Sequence, residues 1–184
     1  MSYDFSGFKK KTEGVKEHLG KELSTIHTGR ANVALLDMVS IESYGARLAI
    51  PHVATITSED ARTLRIVPWE KSNGKEIERA INEANLGLSV SADDSGLRVS
   101  FPPLTTERRI AFTKIARDKV EEARIAVRNE REKTKNDIIA KERDNEMSID
   151  EKKIALETLQ KLVDDANSAI DVLGEKKEKE ILGE

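Results

Sequence analysis

A stretch of about 40 residues, from Thr105 to Asp144, contains neither glycine nor proline. Apart from an interruption at Glu130, one set of mostly apolar residues recurs every three or four positions, which places them on one face of an α-helix. They are Phe112, Ala116, Val120, Ala123, Val127, Thr134 and Ile138. Thr105 follows Pro-Pro-Leu and is the predicted N-cap. At 1.5 Å per residue, this helix is a rod of roughly 60 Å.

Two further segments predict long helices with narrow apolar seams. Near the N-terminus, apolar residues follow a heptad spacing, and Thr12 and Glu22 occupy its intervening steps. The apolar residues are Phe5, Phe8, Val15, Leu19 and Ile26. Near the C-terminus, Ser148 and Glu151 form a capping box. The apolar residues that follow it at steps of three and four are Leu156, Leu159, Val163, Ala166, Ile170 and Leu173. Three such rods predict an elongated, antiparallel three-helix bundle.

Residues 31–104 follow a different pattern. Short apolar or alternating stretches predict strands at 39–44, 53–56, 64–67 and 97–101, and residues 75–85 have helical spacing. The predicted fold is therefore α+β, with a small α/β domain (31–104) inserted into a bundle formed by 1–30 and 105–184. Paired short crossings between the two parts make a hinge. Its predicted residues are Thr28, Gly29, Arg30, Ala31, Pro103, Leu104 and Thr105.

The composition narrows the class of protein. Charged residues make up 35% of the chain and aromatic residues 4%, which suits long solvated helices better than one thick core. The absence of cysteine excludes disulfides and thiolate metal sites. No apolar run approaches the roughly 18 residues of a membrane span, and no apolar segment of a secretory signal follows the N-terminal lysines. We therefore expect a cytoplasmic protein with no membrane partner.

The sequence offers little to an enzyme. It has no glycine-rich phosphate loop, no nucleophile elbow and no metalloprotease motif. His18 and Glu22 stand four residues apart on the first helix, but two ligands do not make a metal site, so we expect a surface pair. We expect Trp69 in the core of the inserted domain rather than on a base-stacking platform. No catalytic residue, metal or cofactor is predicted.

A basic stripe carries the most specific functional signal. Although the net charge is −3, the stretch from Arg108 to Lys135 has ten basic and five acidic residues. Five of the basic residues are spaced 7, 4, 3 and 4 apart and therefore lie on one face of the middle helix. They are Arg117, Arg124, Arg128, Arg131 and Lys135. One interpretation is a solvated face whose cations form ion pairs with glutamates one turn away on the same helix. The other is a row of arginine forks that docks the rod onto a nucleic-acid backbone, at a specific RNA site.

Motifs in order along nearly the whole chain resemble the ribosome recycling factor family. Residues 24–31, Ser-Thr-Ile-His-Thr-Gly-Arg-Ala, are similar to its first-hinge motif. Further matches are Tyr44-Gly45, Asn85-Leu86-Gly87-Leu88, Pro102-Pro103-Leu104-Thr105 with Glu107-Arg108-Arg109, and Ala126-Val127-Arg128-Asn129 with Arg131. The chain departs from the family pattern at two positions. His27 stands where members usually carry arginine, and Glu132 stands where another basic residue usually follows Arg131.

The resemblance implies a transfer-RNA-like L, with the bundle as its long arm and the inserted domain as its short arm. It implies a monomer that binds the large ribosomal subunit and its 23S-type RNA after termination. Elongation factor G with GTP would then drive the short arm and split the subunits, which releases ribosomes from mRNA. The residues expected at ribosomal RNA are Arg128, Arg131, Arg124, Arg117, Arg30, Arg109 and His27. The alternative function is a coiled-coil adaptor or chaperone-like protein whose apolar seams bind other proteins.

Overall fold

The computed structural model describes residues 3–43 and 46–183, so the Tyr44-Gly45 motif lies outside the described residues. Two short 3-10 turns, Val33–Leu35 and Ile50–His52, accompany the regular elements. In chain order these are α1 (Ser6–Ser24), β1 (Ser40–Ser43), β2 (Ala46–Ala49), β3 (Ala54–Asp60), β4 (Thr63–Pro68), α2 (Asn73–Glu83), β5 (Ser89–Asp93), β6 (Gly96–Ser100), α3 (Thr106–Arg143) and α4 (Ile149–Leu182).

The chain divides into two compact units. The helical unit contains the residues up to Leu23 together with Thr113–Glu180, and the sheet unit contains Ser24–Phe112 together with Ile181–Gly183. The domain boundaries expected from the sequence, after residue 30 and before residue 105, both fall inside the sheet unit. The long helical part and the small sheet domain confirm the predicted α+β class.

Local signals set the ends of the long helices. The Thr105 hydroxyl accepts a hydrogen bond from the Arg108 N–H, 3.3 Å away, as expected of an N-cap. Past the end of α3, Asn145 adopts a left-handed φ of 61°. The Glu146 N–H donates to the Lys141 carbonyl at 2.8 Å and the Asn145 N–H to the Glu142 carbonyl at 3.1 Å, which is a Schellman motif.

The start of α4 is capped reciprocally. The Ser148 N–H donates to Glu151 Oε2 at 2.9 Å, and the Glu151 N–H donates to Ser148 Oγ at 3.2 Å. This arrangement confirms the predicted capping box. Both helices that meet at residues 144–148 therefore satisfy terminal backbone groups within the turn itself.

Helix α3 runs antiparallel to both of its neighbours in the helical unit. Its contacts with α4 move towards the start of α4 as α3 proceeds: Arg117 pairs with Glu178, Arg124 with Asp171, and Glu142 with Lys152. On the α1 side, Lys119 pairs with Glu22, while the Tyr3 hydroxyl donates to Asp137 near the other end of α3. Three antiparallel helices therefore form this unit in the described part of the chain.

The predicted seams are largely buried, but Val15 of α1 and Thr134 of α3, within the seams, are only half-buried. The buried α3 positions include Ala116, Val120, Ala123, Val127 and Ile138. The buried α4 positions are Ala155, Leu159, Val163, Ala166, Ile170, Gly174, Lys177 and Ile181, so Leu156 and Leu173 are only half-buried. Helix α1 ends at Ser24, two residues before Ile26. Ile26 is still buried, but it packs from a loop.

The sheet unit has a four-stranded antiparallel sheet in the order β3-β4-β6-β5 and a separate β1-β2 hairpin. A turn at residues 93–96 closes the β5-β6 hairpin, in which Asp93 pairs with Gly96. Helix α2 covers the apolar face with Ile77 and Ile81. The core comprises Leu35, Leu36, Val39, Ile41, Ile50, Val53, Ala54, Leu64, Ile66, Ile77, Ile81, Leu97, Val99 and Phe101.

The outer face of this sheet is polar, and it holds Trp69. The expectation that Trp69 lies in the core was wrong, because the side chain is 66% exposed and its Nε1 donates to Thr55 Oγ1 at 3.0 Å. Strand alternation explains the exposure: Leu64 and Ile66 of β4 are buried, so the alternate positions Val67 and Trp69 point away from the core. No helix in the described ranges is long and apolar enough to cross a membrane.

Candidate nucleic-acid interface

The predicted RNA-binding residues fall into two groups. Arg117, Arg124, Arg128 and Arg131 belong to the part of α3 in the helical unit, whereas His27, Arg30 and Arg109 belong to the sheet unit. A 38-residue helix carries the first group, so its members keep fixed relative positions. Each group is described by its own contacts.

The first half of the stripe pairs with α4. Arg117 donates two hydrogen bonds to the Glu178 carboxylate, at 2.8 and 3.0 Å. Arg124 donates to Asp171 Oδ1 at 3.1 and 2.6 Å and to Glu121 at 3.3 Å. These hydrogen bonds raise the pKa of both guanidinium groups. The hydrogen bonds from Arg117 also lower the pKa of Glu178. Arg117 and Arg124 therefore act first as cross-ties between two helices.

The second half of the stripe faces outward. Arg128 is exposed, and its guanidinium makes no hydrogen bond or ion pair with any residue in the described ranges. Arg131, whose side chain is 34% exposed, donates from Nη1 to Oε1 of Glu132 at 2.6 Å. Lys135 Nζ lies 3.8 Å from the other oxygen of the same carboxylate. Arg128 is thus ready to bind an anion, and Arg131 is shared with its neighbour.

Arg30 and Arg109 differ in availability. Arg30 is exposed and has no hydrogen-bond or ion-pair partner in the described part of the chain. Arg109 is half-buried, and its Nη1 donates to the Ile181 carbonyl oxygen at 2.5 Å. This carbonyl lies in the last turn of α4, where a cation also meets the negative end of the helix dipole. Arg109 therefore caps α4, while Arg30 is free for a ligand.

His27 is in the core of the sheet unit and not on its surface. The residue is 8% exposed, and its ring stacks on Phe101 with 5.6 Å between centroids. Phe112 lies against it at 6.2 Å. The Gly29 N–H donates to His27 Nδ1 at 3.2 Å, so that nitrogen carries no proton while this bond is present. In this conformation, packing describes His27 better than the predicted contact with phosphate.

Three acidic residues complete the site: Asp171 and Glu178 of α4, which were not predicted from the sequence, and Glu132, which was. Asp171 and Glu178 pair with Arg124 and Arg117 in the first half of the stripe, and Glu132 pairs with Arg131 in the second. The α4 acids could be found only through the antiparallel register that places residue 171 opposite residue 124. Glu132 did stand out as a departure from the family motif. Its carboxylate is the direct partner of an arginine in that motif.

A groove of about 750 Å³ also opens between α1 and α3. Its lining includes Gly14, Val15 and Ala126, with Lys10, Lys11 and His18. His18 lies 3.5 Å from Glu22 and is 74% exposed, which confirms the predicted surface pair. The groove gathers no nucleophile, base and oxyanion donors in one place. The outward cations of α3, by contrast, have the fork geometry that phosphate requires.

The comparisons with known proteins agree with the sequence motifs. The family model for ribosome recycling factor matches residues 19–182. The chain belongs to the ribosome recycling factor family. It is 43% identical to the ribosome-recycling factor of Halalkalibacterium halodurans over 166 residues, which cover 90% of each protein. It is 42% identical to that of Novosphingobium aromaticivorans over 181 residues, which cover 98% of each.

Solved structures of ribosome recycling factors have the same fold. A solution structure of a ribosome recycling factor matches with a TM-score of 0.76 at 36% identity, over 98% of this chain and 96% of that one. A Thermus thermophilus ribosome recycling factor, described with Escherichia coli elongation factor G on the E. coli post-termination complex, matches with a TM-score of 0.68 at 37% identity, over 97% of each chain. Membership of the family makes this chain a non-enzymatic translation factor.

Proposed function

We propose that the chain binds the large ribosomal subunit after termination and, with elongation factor G and GTP, promotes subunit splitting and release of the ribosome from mRNA. Family membership supports this role, as does the similar protein described on a post-termination complex together with elongation factor G. In this proposal the chain acts as a monomer in the cytoplasm.

The observation that carries the proposal is the outward half of the stripe. Arg128 is exposed with no partner in the described chain, and Arg131 follows one turn later on the same rigid helix. A guanidinium can donate two parallel hydrogen bonds to a phosphate, and a preformed helix loses little conformational freedom when it docks. We assign Arg128 and Arg131 as the principal contacts with ribosomal RNA and Arg30 as a further one.

We assign secondary roles to the remaining predicted residues. Arg117 and Arg124 hold α4 against α3 and add positive potential beside the RNA contacts. Arg109 caps α4, and His27 packs against Phe101. Substitution of these residues would therefore change the free energy of unfolding more than the affinity for RNA.

We also propose that the two units move against each other when elongation factor G acts. Each unit has a core of its own, and the described chain passes between the units at residues 23/24, 112/113 and 180/181. The predicted hinge segments, Thr28–Ala31 and Pro103–Thr105, follow and precede the first two crossings by a few residues. Gly29 has a φ of +77°, which few other residues adopt, so it can accept the backbone changes that a hinge needs.

Co-sedimentation with isolated large subunits, measured at several salt concentrations, tests the proposal. Arg128→Ala and Arg131→Ala should each weaken binding by about 1–3 kcal/mol, the range for charge-assisted hydrogen bonds. Arg117→Ala is the control, because it removes the same charge from the half of the stripe that pairs with α4. Unchanged affinity in the Arg128/Arg131 double variant would contradict the assignment. Salt-insensitive binding that depends on the apolar seams would instead favour the adaptor function.

A further inference from the structure

We propose that Glu132 competes with phosphate for Arg131 and Lys135, and so sets how tightly and for how long the factor holds ribosomal RNA. This inference rests on the proposed function. It assigns a role to a carboxylate that is not itself an RNA contact. In this role Glu132 limits affinity, which suits a factor that must leave the ribosome after each round.

The geometry places one carboxylate between two cations. Glu132 Oε1 accepts a hydrogen bond from Arg131 Nη1 at 2.6 Å, and Oε2 lies 3.8 Å from Lys135 Nζ. The three side chains are between 34% and 47% exposed, so solvent and RNA can reach all of them. Because the group is accessible, its ion pairs are weak enough to exchange with a ligand.

Glu132 differs in this respect from the acids on α4. Glu178 accepts two hydrogen bonds from Arg117, which binds it as a fork. Arg131 uses a single nitrogen for Glu132, and its other donors have no partner among the described residues. The Arg131–Glu132 pair joins adjacent residues of one helix and ties no two elements together. Loss of this pair therefore changes the charge that faces outward without loosening the bundle.

A phosphate that approaches Arg131 meets this carboxylate in either of two ways. If the phosphate displaces Glu132, the Arg131–Glu132 hydrogen bond is lost. If it binds beside Glu132, two negative groups are brought together. Both routes reduce the binding free energy. Within a Debye length, about 10 Å at 0.1 M salt, the repulsion is only partly screened. Glu132 also cancels one of the three positive charges of Arg128, Arg131 and Lys135, so fewer counterions are released on binding.

Glu132→Gln tests the inference on the full-length chain. The dissociation constant for isolated large subunits at about 0.1 M salt should fall roughly three- to tenfold, mainly through slower dissociation. The slope of log affinity against log salt should become steeper by about 0.7–0.9, the contribution of one additional phosphate contact. The melting temperature should not change, since the exposed pair lies within a single helix.

Glu121→Gln is the matched control. It removes the same charge from the same helix, but Asp171 continues to hold Arg124, the partner of Glu121. Glu121 is also 11 residues from Glu132, about 16 Å along the helix, which exceeds the Debye length at this salt. Equal gains in affinity for the two variants would show a general effect of net charge and overturn the inference.

A second measurement separates this inference from the proposed function. If Glu132 acts through Arg131, the gain from Glu132→Gln should shrink in an Arg131→Ala background. Weakened binding by the Arg128/Arg131 double variant, with no effect of Glu132→Gln on affinity or salt slope, would overturn the inference and leave the proposed function intact. Normal binding by that double variant would contradict both.

Discussion

Gly174 of α4 faces Val120 of α3 so closely that a Cβ on Gly174 would lie 2.8 Å from Val120 Cγ2. The missing side chain lets the two helices approach at a point flanked by the Arg117–Glu178 and Arg124–Asp171 ion pairs. Glycine inside a helix ordinarily lowers stability, because the unfolded chain gains conformational freedom.

Gly174→Ala should therefore destabilise the helical unit. The added methyl group overlaps a β-branched side chain, which has little rotameric freedom, so we expect a loss of about 1–3 kcal/mol in the free energy of unfolding. Chemical denaturation followed by circular dichroism measures it. Gly20→Ala is the control, because a Cβ there meets nothing within 4 Å and should stabilise α1 by about 0.5–1 kcal/mol. If Gly174→Ala also stabilises the chain, the α3–α4 contact is looser than described.

A second prediction concerns His27. His27→Phe keeps the stacking on Phe101 but removes the acceptor for the Gly29 N–H, so it should cost about 1 kcal/mol of stability. His27→Ala removes both interactions and should cost about 2–4 kcal/mol. Neither variant should alter large-subunit affinity under conditions where the chain is fully folded. A tenfold loss of affinity in fully folded His27→Phe would return His27 to the RNA-binding residues.

The sequence predicted the long helices well because their signals are local. Apolar periodicity, the Thr105 N-cap and the Ser148–Glu151 capping box all act within a few residues. The strands β2 and β5 were not predicted, because they are only four and five residues long and largely exposed, so each contains few strongly apolar residues. Trp69 was misplaced because the inward-facing positions of β4 follow from its neighbours in the sheet.

The candidate site was predicted only as a set of cations. Helical spacing placed Arg117, Arg124 and Arg128 on one face, but it could not distinguish the arginines that pair with α4 from the arginine that stays free. That distinction depends on the antiparallel register of α3 and α4, which places Asp171 beside Arg124 and Glu178 beside Arg117. Tertiary packing likewise decided that His27 is buried, since its neighbour Phe101 is 74 residues away in the sequence.

A third prediction follows from the burial of Lys177 in the α4 seam, where it is 7% exposed. Desolvation lowers its pKa from 10.5, although Glu180 at 3.5 Å partly opposes the shift. At pH values between the folded and unfolded pKa of Lys177, this side chain is more often protonated in the unfolded chain than in the folded one. The free energy of unfolding should therefore rise with pH in the range just below 10.5. At neutral pH the full desolvation penalty applies.

Lys177→Met should consequently raise the free energy of unfolding at pH 7 by about 1 kcal/mol, because it fills the same volume without a charge. The difference from the unsubstituted chain should shrink as the pH approaches 10.5. Thermal melts between pH 7 and pH 10.5 measure both effects. Lys176→Met, one residue earlier on the exposed face, is the control and should show no such trend. A destabilised Lys177→Met at pH 7 would mean that the Glu180 ion pair outweighs desolvation.

The last prediction addresses motion between the helical and sheet units. Because the chain contains no cysteine, a single cysteine in each unit can carry a donor and an acceptor dye. Lys161 on α4 and Asn82 on α2 are exposed positions, one in each unit. On large subunits, adding elongation factor G with GTP should shift the energy-transfer efficiency before the subunits separate. Adding the factor with GDP should not, because the proposed driving force is GTP-dependent.

Gly29→Ala provides a matched perturbation of the hinge. At a φ of +77°, a Cβ is strained and would lie 3.5 Å from the Leu104 backbone nitrogen, so the variant disfavours the present conformation of this segment. It should change the distribution of transfer efficiencies and the splitting rate together, while large-subunit affinity, which depends on Arg128 and Arg131, stays within a few-fold. If splitting proceeds at the normal rate while the transfer efficiency never changes, the two units act as one body and the hinge proposal fails.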